Sequence, residues 1–149
     1  MVEFETQKDV SNQLRVAETV GKHLHKKLNP TPRFFPADFV AEDESLYIEV
    51  RCRNCHQHEY PEFLISATKW IELLRLKFDE LKPSIFLAVA WVDAIGIIEI
   101  DYGKAKLVPF KRNKSVGNRA EDIMVAIPIS NFRNIGIGLE LDKSANWVG

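Results

Sequence analysis

The chain has 149 residues, 46% hydrophobic and 28% charged, with a formal net charge of −1. That balance is ordinary for one soluble domain with a real core, and it does not announce a nucleic-acid binder. A membrane-spanning helix is excluded, because the longest apolar run, SIFLAVAWVDAIGIIEI, is interrupted by Asp93 and reads as two strands. The opening MVEFETQKDV lacks the basic-then-apolar order of a signal peptide, so the expected location is cytoplasmic, where thiols stay reduced.

From about Thr6 to Leu28, Val10, Leu14, Ala17, Gly21, Leu24 and Leu28 recur at three- and four-residue steps. This spacing predicts an amphipathic helix, ended by Asn29-Pro30-Thr31-Pro32. ADFVAE and SLYIEVRCR follow as two short β-patterns joined by a polar turn at Asp43-Glu44. After a loop rich in Asn, His, Gln and Pro, a second helix is expected from about Ser66 to Leu81. Ser66 is its N-cap, and Trp70, Ile71, Leu74, Phe78 and Leu81 form its apolar face. SIFLAVAWV suits a buried central strand. GIIEIDY, KLVPF and IMVAIPI read as further strands, and SNFRNIG as a short helix. Helix–strand–strand–helix–strand order predicts a mixed sheet flanked by helices, α/β or α+β. One domain over 1–149 is expected, with about 137–149 a candidate flexible tail.

Charge is distributed unevenly. Lys104, Lys106, Lys111, Arg112, Lys114 and Arg119 lie together with no acidic residue among them, and Lys22, His23, His25, Lys26, Lys27 and Arg33 form a second cluster. Local fields of this kind attract phosphate, although either cluster also reads as a solvated loop. Lys111, Arg112, Lys114 and Arg119 are the candidate nucleic-acid contacts.

Both cysteines and two of the four histidines, His56 and His58, fall in IEVRCRNCHQH. Cys52 to His56 matches a CxxCH haem-attachment pattern, and Cys52, Cys55, His56 and His58 are candidate zinc ligands. A structural zinc ion generally draws its ligands from two separated segments, whereas these four are contiguous. His23 and His25 could supply a second pair. Haem attachment lacks its usual export context. The preferred reading is a core-facing Cys52, a free Cys55 and a polar histidine loop beside a phosphate-binding face. Tyr60, Trp70 and Trp91 read as packing residues.

The hairpin carries a sharper pattern. With its turn centred between Asp43 and Glu44, Asp38 lies across from Glu49. An even loop of two or four residues keeps that register, and an odd one sends the carboxylates to opposite faces. Opposed like charges destabilise a sheet unless a cation lies between them. Alternation puts Arg51 on the face of Glu49, and Val50 and Cys52 on the other. Glu18, one turn beyond Leu14, is expected at the edge of the first helix's buried stripe, where it could reach the same surface.

A helix Glu, then Pro36-Ala37-Asp38, then Glu49-Val50-Arg51 on the hairpin partner, then a helix and a buried strand, resembles the PD-(D/E)XK nuclease superfamily, which includes restriction endonucleases and Holliday-junction resolvases. The resemblance runs from about residue 10 to residue 133. It implies a restriction endonuclease-like core of αβββαβ-like order and a metal-dependent endonuclease that hydrolyses phosphodiester bonds in duplex or branched DNA as a homodimer. By the same resemblance, Asp38 and Glu49 bind Mg2+ or Mn2+ with the Val50 carbonyl as a further ligand, and Glu18 completes the site. Hard carboxylate oxygens suit those ions rather than zinc.

Position 51 departs from the pattern, having Arg where the family usually has Lys. Arginine can hold a phosphate bidentately but cannot take a proton from water. Either no side-chain base is needed, or Lys69 on the second helix supplies the lysine, or the domain only binds. The alternatives are therefore an inactive nucleic-acid-binding or assembly protein on the same fold, and a zinc-stabilised interaction module built on the Cys/His loop.

Overall fold

The computed structural model describes residues 7–78, 83–101, 106–110 and 122–138. Helix α1 (Gln7–Leu24) precedes strands β1 (Leu28–Pro30), β2 (Phe39–Ala41) and β3 (Leu46–Cys52). Strand β4 (Glu62–Ser66) runs directly into α2 (Ala67–Lys77). Strands β5 (Ser84–Ala90), β6 (Ala94–Glu99), β7 (Lys106–Phe110), β8 (Asp122–Pro128) and β9 (Arg133–Ile137) complete the described elements.

The main sheet has the order β1-β2-β3-β5-β6-β9. Among the described strands only β3 and β5 run parallel in it, so the sheet is mixed. Strand β5 is buried on both faces, which its continuous apolar sequence requires. On one face α1 lays Val16, Ala17 and Val20 against Phe39, Ile48, Val50, Ala88 and Ile97. On the other, α2 and a second sheet, β4-β8-β7, bring Phe63, Ile65, Trp70, Leu73, Val125 and Ile127 over Ile85, Leu87, Val89 and Ile98. Trp70 and Trp91 belong to this core, whereas Tyr60 is exposed.

Helix α1 stops four residues before the expected Leu28. His25 takes a left-handed φ of 56°, the Lys26 N–H reaches the Gly21 carbonyl at 2.9 Å, and the His25 N–H points to the Lys22 carbonyl at 3.4 Å. These two bonds close a Schellman cap with His where Gly is usual. Gly21 is needed there, since a Cβ would stand 2.8 Å from the Lys26 carbonyl oxygen. The buried stripe is also rotated from the expected one. Asn12, Val16 and Val20 face inward at four-residue steps, while Val10 and Leu14 are exposed.

Three strands differ from expectation. Strand β1 is a three-residue edge ending in Pro30, too short to alternate. Strand β4 does alternate, burying Phe63 and Ile65. SNFRNIG is not a helix: after a single 3-10 turn, Ile129–Asn131, it pairs with β6 as strand β9. Asn134 in β9 exchanges two side-chain hydrogen bonds with buried Gln57, at 2.6 and 3.0 Å, so its polar sequence has a packing role. The expected tail begins inside β9 at Ile137, and from 139 onward it lies outside the described residues.

The loop before β2 contains a strained residue. The Phe35 N–H donates to the Pro32 carbonyl at 3.1 Å, closing a turn whose third residue, Phe34, has φ 70°. That is the position of a type II turn where glycine is preferred. The Phe34 side chain is 76% exposed, so little packing compensates the strain. Phe34→Gly is therefore expected to raise stability by up to about 1 kcal/mol, the relief of left-handed strain less the extra chain entropy. Urea denaturation midpoints would measure it.

Candidate active site

The hairpin register is the one that opposes the two acids. Phe39 pairs with Ile48 and Val40 with Tyr47, and the four-residue loop Glu42–Ser45 is of even length. Its shape is held locally: Glu44 has φ 61°, and the Asp43 carboxylate accepts from the Ser45 N–H at 3.1 Å and hydroxyl at 2.6 Å. Beyond Phe39 the chain turns out of the ladder. The Asp38 N–H donates to the Ile48 carbonyl at 3.0 Å, and Asp38 Oδ2 accepts the Val50 N–H at 2.8 Å. One carboxylate oxygen of Asp38 is thus fixed by β3 itself, beside Glu49.

Glu49 is 1% exposed, in the middle of a sheet, where an ionised carboxylate is costly. Its Oε2 contacts Arg51 Nη1 and lies 4.0 Å from Lys69 Nζ. Burial pushes its pKa up to about 8, partly opposed by the Arg51 cation and reinforced by the negative charge of Asp38. Its other oxygen, Oε1, is buried without a hydrogen-bond partner, as is Arg51 Nε. A buried acceptor left unsatisfied beside a second carboxylate costs stability, and it is the chemistry that a hard cation satisfies.

Lys69 enters from α2, over the same face. Ser66 caps that helix, its hydroxyl accepting the Lys69 N–H at 3.2 Å. Lys69 Nζ donates to the Pro36 carbonyl at 2.9 Å and pairs with Glu72 Oε1 at 3.4 Å. Ser66→Ala is expected to cost about 1 kcal/mol of unfolding free energy, measured by thermal or urea denaturation. Glu72 was not among the residues expected here, though its three-residue spacing from Lys69 on one helix is readable.

Glu18 does not join this group. Val16 and Val20 point at the sheet, and Glu18, two residues from each, lies about 200° around the helix and is exposed. Moreover, α1 packs on the face of Ile48 and Val50, opposite to that of Glu49 and Arg51. Glu18 instead lines a cleft with Lys22, His25, Lys26 and Lys27. In that basic cluster Lys26 pairs with Asp43 at 2.6 Å and Lys27 with Glu42 at 3.4 Å.

The Cys/His loop is not assembled as a zinc site. Cys52 packs against the α1-side core and Cys55 against the α2-side core, so the sheet separates the two thiols. His56 and His58 are exposed, and His56 Nδ1 is 3.9 Å from Glu59 Oε1. Between the cysteines, Arg53 is largely buried over the Phe63 ring, 4.4 Å from its centroid, and donates to the Leu64 carbonyl at 3.1 Å. Among the described residues, no group of three or more His, Cys, Asp or Glu could hold a metal. A cation between Asp38 and Glu49 therefore needs further ligands from backbone, water or substrate, an arrangement that suits Mg2+. Lys111, Arg112, Lys114 and Arg119 lie outside the described residues.

Comparison with known proteins agrees with this fold. Residues 2–135 match the model of the family described as "Phage putative PDDEXK endonuclease". Nothing among the curated proteins matches. Among solved structures the chain is similar to Hjc, a Holliday junction resolvase from the archaeal hyperthermophile Archaeoglobus fulgidus. The TM-score is 0.51 at 15% identity, over 82% of this chain and 90% of that one, a likeness of fold.

Proposed function

Because the chain belongs to the phage PDDEXK endonuclease family, we propose that it is a divalent-metal-dependent DNA endonuclease whose metal is held by Asp38 and Glu49. The observation that carries this reading is the buried, partnerless Oε1 of Glu49 beside a second carboxylate, with two cations on the same face. Mg2+ or Mn2+ bound there, with the Val50 carbonyl as a further ligand, supplies polarisation of the scissile phosphate and a lowered pKa for the attacking water.

The remaining roles fall to the chain's own groups. Asp38 is oriented by the Val50 N–H and keeps its other oxygen for the ion. Arg51 stays protonated, so it holds non-bridging phosphate oxygens and stabilises charge developing on them rather than taking a proton. Lys69 takes the place of the motif lysine from α2. Its Nζ is oriented by the Pro36 carbonyl and Glu72, close enough to Glu49 to position water or phosphate. The substrate in this reading is duplex or branched DNA, acted on by a homodimer in the cytoplasm. No helix among the described residues is long and apolar enough to cross a membrane.

The test is incubation with supercoiled plasmid in Mg2+ or Mn2+. Nicked or linear product, absent with chelator or in Asp38→Ala, is the expected result. Arg51 closed over Glu49 is the one observation that favours a non-catalytic binding domain on the same scaffold. Salt-sensitive DNA binding without any cleavage would select that reading.

A further inference from the structure

Beside the acidic pair lies a second cleft, of about 570 Å³, between the 32–35 turn and the C-terminal half of α2. We infer that it holds an unpaired nucleobase of the DNA, with Phe34 as the stacking platform. This inference rests on the nuclease reading of the adjacent site and names the kind of substrate that site takes.

Four observations converge on it. Phe34 is held outward at the glycine position of its turn, whereas its neighbour Phe35 turns inward and stacks on Tyr47 at 5.2 Å. An exposed aromatic kept in a strained backbone conformation marks function more than packing. Phe78, 61% exposed, lines the same cleft from the C-terminal cap of α2, so the cleft has an aromatic from each wall. Cations accompany the rings: the Arg33 guanidinium lies 5.2 Å from the Phe34 centroid, and Arg75 lines the cleft. Aromatic faces beside basic groups are how proteins hold unpaired bases next to their phosphates.

The cleft is also linked to the acidic pair through Lys69. Pro36 and Glu72, two of its lining residues, are the partners of Lys69 Nζ, which lies 4.0 Å from Glu49 Oε2. A strand whose phosphate sits at Asp38 and Glu49 therefore brings a neighbouring base to Phe34. The Glu72 carboxylate can accept from an exocyclic amino group of that base. A base that is paired and stacked in a duplex exposes no face to Phe34, so the cleft favours DNA carrying an unpaired nucleotide.

The test uses the full chain with chelator present, so that nothing is cut, and two labelled duplexes identical except for one unpaired 2-aminopurine. Wild type is expected to bind the bulged duplex roughly 10-fold tighter than the paired one, and to quench the 2-aminopurine. Phe34→Gly, which suits the turn, should lose both effects while staying folded. Phe34→Trp should keep both. Equal binding of the two duplexes by wild type, no binding of either, or an undiminished preference in Phe34→Gly would overturn the inference. A Phe34-dependent preference without cleavage in Mg2+ would leave the stacking site standing and remove the catalytic reading. Cleavage without the preference would do the reverse.

Discussion

Glu49→Gln is expected to abolish DNA cleavage while making the metal-free protein more stable than wild type above pH 8. Glutamine keeps the shape of the side chain and an acceptor for Arg51, but it removes the charge that burial disfavours. The carboxyl's folded-state pKa of about 8 lies above its ordinary value of 4.5. The folded chain therefore holds this proton more tightly than the unfolded chain does. Stability is at its fullest below about pH 4.5 and is lost as pH rises through about 8. For a nearly fully buried group shifted this far, the loss is on the order of a few kcal/mol. The Gln variant escapes it. Urea denaturation with chelator at pH 4.5 and pH 9 would measure the difference, which should be small at pH 4.5, grow steadily through the intervening range and be large at pH 9. Mn2+ should reverse the order at high pH by stabilising wild type alone, and its affinity should rise as pH approaches 8, because the ion displaces the proton. A site that destabilises its own fold until a ligand arrives is the usual mark of function over stability.

Lys69→Ala is expected to slow cleavage roughly 10²- to 10³-fold with metal binding little changed, the scale of losing one positioned group at the reacting phosphate. Arg51→Lys should cost about 10-fold, since lysine is a point charge and cannot replace the guanidinium fork. The informative variant combines the two. Lysine at position 51 stands where the resemblance expects it, so Arg51→Lys in the Lys69→Ala background should recover at least about 10-fold of the lost rate. Single-turnover rates on plasmid or oligonucleotide DNA separate these outcomes. If Lys69→Ala cuts at the wild-type rate, the α2 lysine has no part in the chemistry.

The residues that came together were those whose positions follow from local rules. Asp38 and Glu49 meet because an even turn and period-two alternation decide a hairpin's register within a dozen residues. Lys69 arrives because Ser66 starts its helix at a recognisable cap, and the helix must cover the buried β5. Glu18 failed for a non-local reason. Val10 and Leu14 offer one apolar stripe on α1 and Val16 and Val20 another, and only packing against the sheet chose the second. That choice also buries Asn12, which the first stripe would leave on the solvent face. The strands at 28–30 and 133–137 draw their stability from pairing to β2 and β6, so their own sequences have little pattern to read. In the Cys/His loop the contiguous spacing already spoke against a zinc site, and strand alternation with the following loop sends the two thiols to opposite sides of a sheet. The arginine at 51 was plain from the start. Its consequence, a guanidinium lying against the buried glutamate, needed the fold.

A divalent ion shared by Asp38 and Glu49 underlies all the roles proposed for this site. Anomalous diffraction from crystals grown with Mn2+ and a short duplex tests it most directly. A peak is expected between the two carboxylates, with the Val50 carbonyl oxygen about 2.2 Å away as a further ligand. A peak at the Cys52–His58 loop alone, or none at the acidic pair in protein that cuts DNA with the same ion, would contradict it.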